Sequence, residues 1–371
     1  SPVSHAGHGG GLCASGLLTP SLIAGNTFDG NVAGALDSGW GGGIYLDNSE
    51  ATVAGNDFLY NAATESGPQG MGGGIYVEGG TVTLRDNTLT RNAGGRDVAS
   101  SIGYGGGLVL SDTVALVLDN LITANRGTYS PEVALGGGAY VFTSTVQIVG
   151  NTITQNSLTT GPIGFGGGLY LHYSTTTVDG NTITDNRSGT GFEGRGGGVR
   201  LAFCPAFTLT NNIIARNYAE DYASGVGVAV SSGSIAHNTI VDNTGGDGSG
   251  VHVSSSSDAR LYGNIILGHT VGITNTDWPA STVQAEYTLF EANLNDYGPG
   301  VTSLNEIPGP ALLKPDYHLS LGSGAIDQVP PLAWVPWDID RQHRPVRVSS
   351  DAGADEDSLR SYLPLVLRVA P

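Results

Sequence analysis

Lysine and methionine are almost missing from this chain. Among 371 residues there is one of each, Lys314 and Met71, so the long unbranched side chains that favour helices are few. Positive charge of any kind is scarce: 15 Lys and Arg stand against 33 Asp and Glu, a formal net charge of −18. Such a surface repels nucleic acid and anionic lipid, which excludes a phosphate-binding role unless a metal bridges the charges. No stretch reaches the ~20 apolar residues that a bilayer-spanning helix requires. Cysteine is limited to Cys13 and Cys204.

What the chain has is glycine, 59 residues of it, together with 15 tyrosines, a turn-rich, all-β composition. The glycines keep a rhythm. The phrase Gly41-Gly42-Gly43-Ile44-Tyr45-Leu46 has close relatives starting at Gly9, Gly72, Gly105, Gly136, Gly166 and Gly196, about 30 residues apart. A period of this size marks an array of stacked units in one elongated body, so length does not count domains here. The two cysteines fall in the first and seventh repeats. At about 4.8 Å per stacked coil they lie roughly 30 Å apart, beyond the ~7 Å reach of a disulfide.

Each repeat reads as three short strands per coil. Ile44, Ile75 and Leu108, with Leu46, Val77 and Leu110 two residues on, alternate along the first strand. The second strand adds Val53, Leu84 and Val117, each three residues before an Asn, and the third adds Phe58, Leu89 and Ile122, each two residues after it. Three apolar columns close a triangular core. The Asn column runs Asn26, Asn56, Asn87, Asn120, Asn151, Asn181, Asn212, Asn238 and Asn264. It predicts an internal ladder in which Asn takes the left-handed corner and bonds its neighbour one coil away. A second Asn follows five residues later, from Asn31 through Asn61, Asn92, Asn125, Asn156, Asn186, Asn217 and Asn243, with His269 in the ninth repeat, and ends the third strand.

The chain divides into a repeat body, residues 1–270, then irregular terminal coils and a C-terminal cap, 271–360, then an apolar strand-like tail, 361–371. The polar start, with no amphipathic helix ahead of the first coil, predicts an uncapped N-terminal end. A first residue of Ser rather than Met fits removal of a secretion signal, and fits a chain trimmed at its start as well.

The G-G-G-[ILV]-[YV]-[LV] and N-x-[FIL]-x-x-N phrases over residues 9–268 resemble the right-handed parallel β-helix, or pectin-lyase-like, superfamily. The stretch Asp316–Asp327, with Asp338-Ile339-Asp340, Arg344-Pro345 and Asp351–Glu356, is similar to the terminal segment of secreted bacterial β-helix proteins of the choice-of-anchor type. The resemblance implies an extracellular or cell-surface protein. It also implies a functionally mixed group of lyases, hydrolases, adhesins and structural proteins, so fold does not choose the function.

Four tyrosines, Tyr45, Tyr76, Tyr140 and Tyr170, are predicted to face outward from the first strand as a surface aromatic column, either stacking on sugar rings or on each other. Asp47 and Glu78 lie one coil apart, roughly 4.8 Å, close to the ~5 Å of a retaining glycosidase pair, although Asp47 also opens an ordinary Asp-Asn-Ser turn. A lyase needs a base; Lys314 lies outside the ladder and Arg200 has no acidic cage near it in sequence. No metal site is assigned and no cofactor is implied. For Ca²⁺ the oxygen-bearing groups are Glu220-Asp221 and Asp351, Asp355 and Asp357, and His5 and His8 form a further metal-capable pair. Asn186-Arg187-Ser188 matches a glycosylation sequon inside the second Asn column.

Open stack edges polymerise unless covered. The leading expectation is therefore a non-enzymatic extracellular structural protein. Its copies would join head to tail into a filament or sheath, the tail residues Tyr362, Leu363, Leu365, Val366 and Leu367 adding a strand to, or docking on, the bare first coil of the next copy; the same tail fits an anchoring signal or a cover for its own core. The alternative is a carbohydrate-binding adhesin or a polysaccharide-degrading enzyme working from the outward face of the first strand.

Overall fold

A computed structural model describes residues 6–18, 21–96, 102–128, 133–158, 163–189 and 193–357. They wind into an all-β solenoid in which every named strand pairing between coils is parallel. The first two strands expected from the sequence run on as one in Ile44–Ala54 and Ile75–Arg85, and separate into Leu108–Ser111 and Val114–Leu118 in the next coil. Third strands stack ten deep, from Thr27–Asp29 to Leu289–Glu291.

Period-2 alternation sends Ile44, Leu46, Val53 and Phe58 inward to complete burial, and each coil repeats the set. Burying one such side chain contributes about 1.5–3 kcal/mol. A single coil cannot collect that alone, since each contact is made with the coil above or below. The loops between repeats add further parallel strands. Ala62–Thr64 belongs to a four-stranded sheet, and Gln69–Met71 to a seven-stranded one that stands beside the first-strand sheet. In the triple glycine, Gly41 sits at φ +66, and a Cβ on Gly42 would lie 2.3 Å from the Gly73 carbonyl oxygen one coil on. The turn needs the first glycine and the close stacking of coils needs the second.

Both Asn columns are internal ladders. Asn181 is fully buried; its Oδ1 accepts from the amide and side chain of Asn151, while its Nδ2 donates to Ile148 O, Asp179 O and Asn212 Oδ1. The side-chain amides of the ladder asparagines are thereby matched, which a buried amide requires. The corner conformation itself corrects the sequence reading. The left-handed residue is the one before each Asn, as at Gly55, Asp86, Asp119 and Gly150, and the Asn keeps ordinary backbone angles so that its side chain can turn inward. A third ladder, of hydroxyls, was not expected. Ser144 Oγ accepts the Thr113 amide, Ser174 Oγ accepts the Ser144 amide, and Ser231 Oγ accepts the Cys204 amide. Cys204 occupies a place in this ladder, buried and unpaired, while Cys13 is exposed.

Residues 305–357 leave the stack after Val301–Leu304 and lie back along its flank, reaching Asn211 from Trp337 and Arg344, and Asp119 from Arg341. The Arg344 and Glu356 of the terminal stretch form a fully enclosed ion pair at 2.7 Å. The guanidinium also donates to the Asp351 and Gly353 carbonyls and to Asn211 Oδ1, so the charge enters the interior with most of its donors satisfied. Ala354 N donates to Thr239 Oγ1 and Gly353 N to Gly263 O, which fixes the segment to two coils. Among the described residues no helix is long and apolar enough to cross a membrane. The apolar tail, 361–371, lies outside the described residues.

Candidate functional site

The first-strand tyrosines do form a column, but they are not at the surface. Tyr45, Tyr76, Tyr140 and Tyr170 are each at most 8% exposed. The reason is the seven-stranded sheet beside them. The residue ahead of each triple glycine, Trp40, Met71, Tyr104, Leu135 and Phe165, leans over the tyrosines and closes an aromatic layer. Ring centroids lie 5.4 Å apart for Tyr45 and Tyr76 and for Tyr140 and Tyr170, and 5.5 Å for Tyr104 and Tyr140. Burial raises the phenol of each, Tyr170 to about 12, so all four stay protonated at neutral pH. His172 packs at the edge of this layer, 3.2 Å from the Tyr140 hydroxyl, and burial holds it down to about 4.

The column is interrupted at Val109 and, past Tyr170, gives way to Arg200 and Gly227. At Val109 the missing ring leaves a pocket of about 210 Å³ between Tyr76, Tyr104, Tyr140 and Phe142. At Gly227 the space is taken by the Arg200 side chain, whose Nη1 would lie 2.8 Å from a Cβ placed there. Arg200 is buried, stacks over Tyr222, and is lowered by burial.

An exposed aromatic pair lies elsewhere, beside the second strands of the late coils. Asp258–Tyr262, Thr282–Glu286 and Val301–Leu304 pair in register and turn Arg260, Gln284 and Thr302 outward in one column. Trp278 flanks this column on one side, 65% exposed, its ring laid against Gly300. Trp334 flanks it on the other, 51% exposed, carried by a turn of the flank segment in which Val335 N bonds Leu332 O. Two hollows of about 440 and 260 Å³ meet over Arg260 and Gln284. Their floor is polar: Thr282 donates to Asp258 at 2.6 Å and Gln284 to Glu286 at 2.7 Å. The geometry offers flat apolar faces opposite hydrogen-bonding groups, the arrangement that holds a ring bearing hydroxyls.

A family model described as the right handed beta helix region matches residues 4–153 and 103–287, which is most of the chain. The chain belongs to the right-handed β-helix family. No curated protein matches it. A β-helix suits a surface protein or an enzyme, and membership alone does not choose between them.

Within this β-helix the carboxylate pair proposed from sequence is in register, Asp47 opposite Glu78. Both are engaged: Tyr45 donates to Glu78 at 2.9 Å, and Ser15 and Asn48 donate to Asp47 at 2.8 and 2.6 Å. His8 stacks between Trp40 and Tyr45, and His5 lies outside the described residues. Glu220 accepts from Tyr218, Asp221 from Arg195, and the two Asp351 oxygens accept the amides of Asp327 and Asp357. Asn186 of the sequon is buried in its ladder, out of reach of any glycosyl donor. The tryptophan groove was missed because Trp278 and Trp334 stand outside the repeat, on stretches with no period to place them. A usable signal existed in the outward positions Arg260 and Gln284, which keep the two-residue alternation of their strands.

Proposed function

We propose that this β-helix is a non-catalytic extracellular or cell-surface protein that binds glycan chains in the groove between Trp278 and Trp334. The observation that carries the reading is a pair of tryptophans, each more than half exposed, facing a polar column from opposite sides. Indole faces receive the C–H face of a sugar ring, while Arg260, Gln284 and Thr302 meet its hydroxyls. These floor residues repeat at the coil spacing of about 4.8 Å, comparable with one sugar unit of an extended chain. The extracellular placement rests on the resemblance of residues 316–356 to the terminal segment of secreted β-helix proteins. Affinity electrophoresis against a panel of polysaccharides tests the reading. Retardation by at least one of them, lost in Trp278→Ala and Trp334→Ala without release of reducing ends, is the expected result. Equal retardation of wild type and both variants overturns it. Reducing-sugar release abolished by Asp47→Asn or Glu78→Gln would support the enzyme instead.

Head-to-tail association is a second reading, favoured by the stack's ends. Thr27–Asp29 and Val301–Leu304 each pair with another strand on one side only among the described residues, and Phe28 and Val301 are only partly buried there. Deletion of residues 361–371 that leaves assemblies seen by electron microscopy unchanged would remove the tail from this reading.

A further inference from the structure

The flank segment brings one imidazole and two carboxylates together from three separate stretches of chain. His318, Asp340 and Asp355 offer ligand atoms that all lie within 4.8 Å of one another. Their separations are not those of strong hydrogen bonds. His318 Nε2 is 3.4 Å from Asp340 Oδ2; Nδ1 is shut off from solvent, 3.3 Å from Asp316 Oδ1, and has no hydrogen-bond partner. Charge-assisted N–H···O bonds close to about 2.7–2.9 Å. Two ligands each about 2.1 Å from a tetrahedral ion stand roughly 3.4 Å apart. Asp355 is 5% exposed, and one of its oxygens is held at 2.8 Å by the Leu319 amide, the kind of outer contact that orients a ligating carboxylate. Asp316, beyond Nδ1, stands where a ligating imidazole commonly finds its supporting carboxylate.

We propose that His318, Asp340 and Asp355 form a divalent-metal site that ties three stretches of the flank segment to one another. Arg341, next to Asp340, carries the tie to Asp119 on the coils beneath. A nitrogen with two carboxylate oxygens is a donor set for a first-row transition ion such as Zn²⁺, since Ca²⁺ takes six to eight oxygens. The site is separate from the acidic run first considered for Ca²⁺, because the Asp351 oxygens are spent on backbone amides. An ion here would leave the tryptophan groove untouched, so the proposal stands or falls apart from glycan binding.

The test is calorimetric titration of the full chain, stripped with a chelator, with ZnCl₂ and with CaCl₂, beside hydrogen exchange over residues 305–357. One Zn²⁺ per chain is expected, bound more tightly than Ca²⁺, with slowed exchange in that segment. Asp340→Asn changes an exposed residue and leaves the interior alone; it and His318→Ala should each weaken Zn²⁺ at least tenfold. No uptake, or uptake of equal affinity in both variants, overturns the site, and Ca²⁺ binding tighter than Zn²⁺ overturns the assignment of its donor set.

Discussion

Two aromatic surfaces of this β-helix are built from opposite parts of the chain and end in opposite states. The tyrosines of the first strand recur with the coil, and the residue before each triple glycine recurs with them, so the two columns meet and seal. Trp278 and Trp334 come from a turn and from the flank segment, recur with nothing, and stay open over a polar floor. Periodic aromatics are covered where a second periodic column stands beside them, as at Tyr45 and Trp40; Tyr173 and Phe203, stacked one coil apart, have none and stay exposed. Trp278 and Trp334, outside the repeat, also have no matching column to cover them, and they flank the polar column of Arg260 and Gln284.

The comparison breaks most visibly at Tyr140. Tyr140→Ala removes a buried ring from the middle of the stack and should cost about 3–5 kcal/mol in urea unfolding, with glycan retardation unchanged at low temperature. Trp278→Ala should show the reverse: affinity at least tenfold lower, about 1.4 kcal/mol, and an unfolding midpoint close to wild type. If Tyr140→Ala lost binding while remaining folded, the two surfaces would not be separable in this way.

Protonation gives a smaller effect on the sealed side. His172 and His269 are both held near 4 by burial, His269 in the second ladder between Asn243 and Asn293. Between about pH 6.5 and 4 the unfolded chain takes up protons at these two sites that the folded chain refuses, so their contribution to stability should fall as pH falls through that window. His269→Asn should flatten part of the decline between pH 7 and 5, read from urea midpoints. The smallest change is expected from Val109→Tyr. It fills the pocket of about 210 Å³ and should raise stability by up to ~1 kcal/mol without altering glycan binding.

Much of the fold was legible because Ile44, Leu46, Val53, Asn56 and Phe58 each head a column, and a column is a period that can be counted. The direction of Tyr45 along its strand was legible too, but its burial was not. The covering strands, such as Gly39–Trp40 and Gln69–Met71, are two or three residues long and sit inside loops whose lengths vary. Their one regular mark, an apolar or aromatic side chain just ahead of the triple glycine, was there to be read. The hydroxyl ladder escaped because Ser144 and Ser174 look like any turn serines until their amide partners are known. The flank segment was out of reach. Its placement depends on contacts between residues more than a hundred positions apart, such as Arg344 with Asn211, which no spacing rule announces.

Tryptophan emission compares the two surfaces in a single titration, because the chain has four tryptophans, Trp40 in the sealed layer, Trp278 and Trp334 in the groove, and Trp337 beyond both. One variant keeps only Trp40, another only Trp278 and Trp334, and each is titrated with a polysaccharide that retards the wild type. A blue shift and a saturable intensity change are expected from Trp278 and Trp334, with Trp40 silent. A saturable response from Trp40 with none from the groove would overturn glycan binding there and return the binding surface to the first strand.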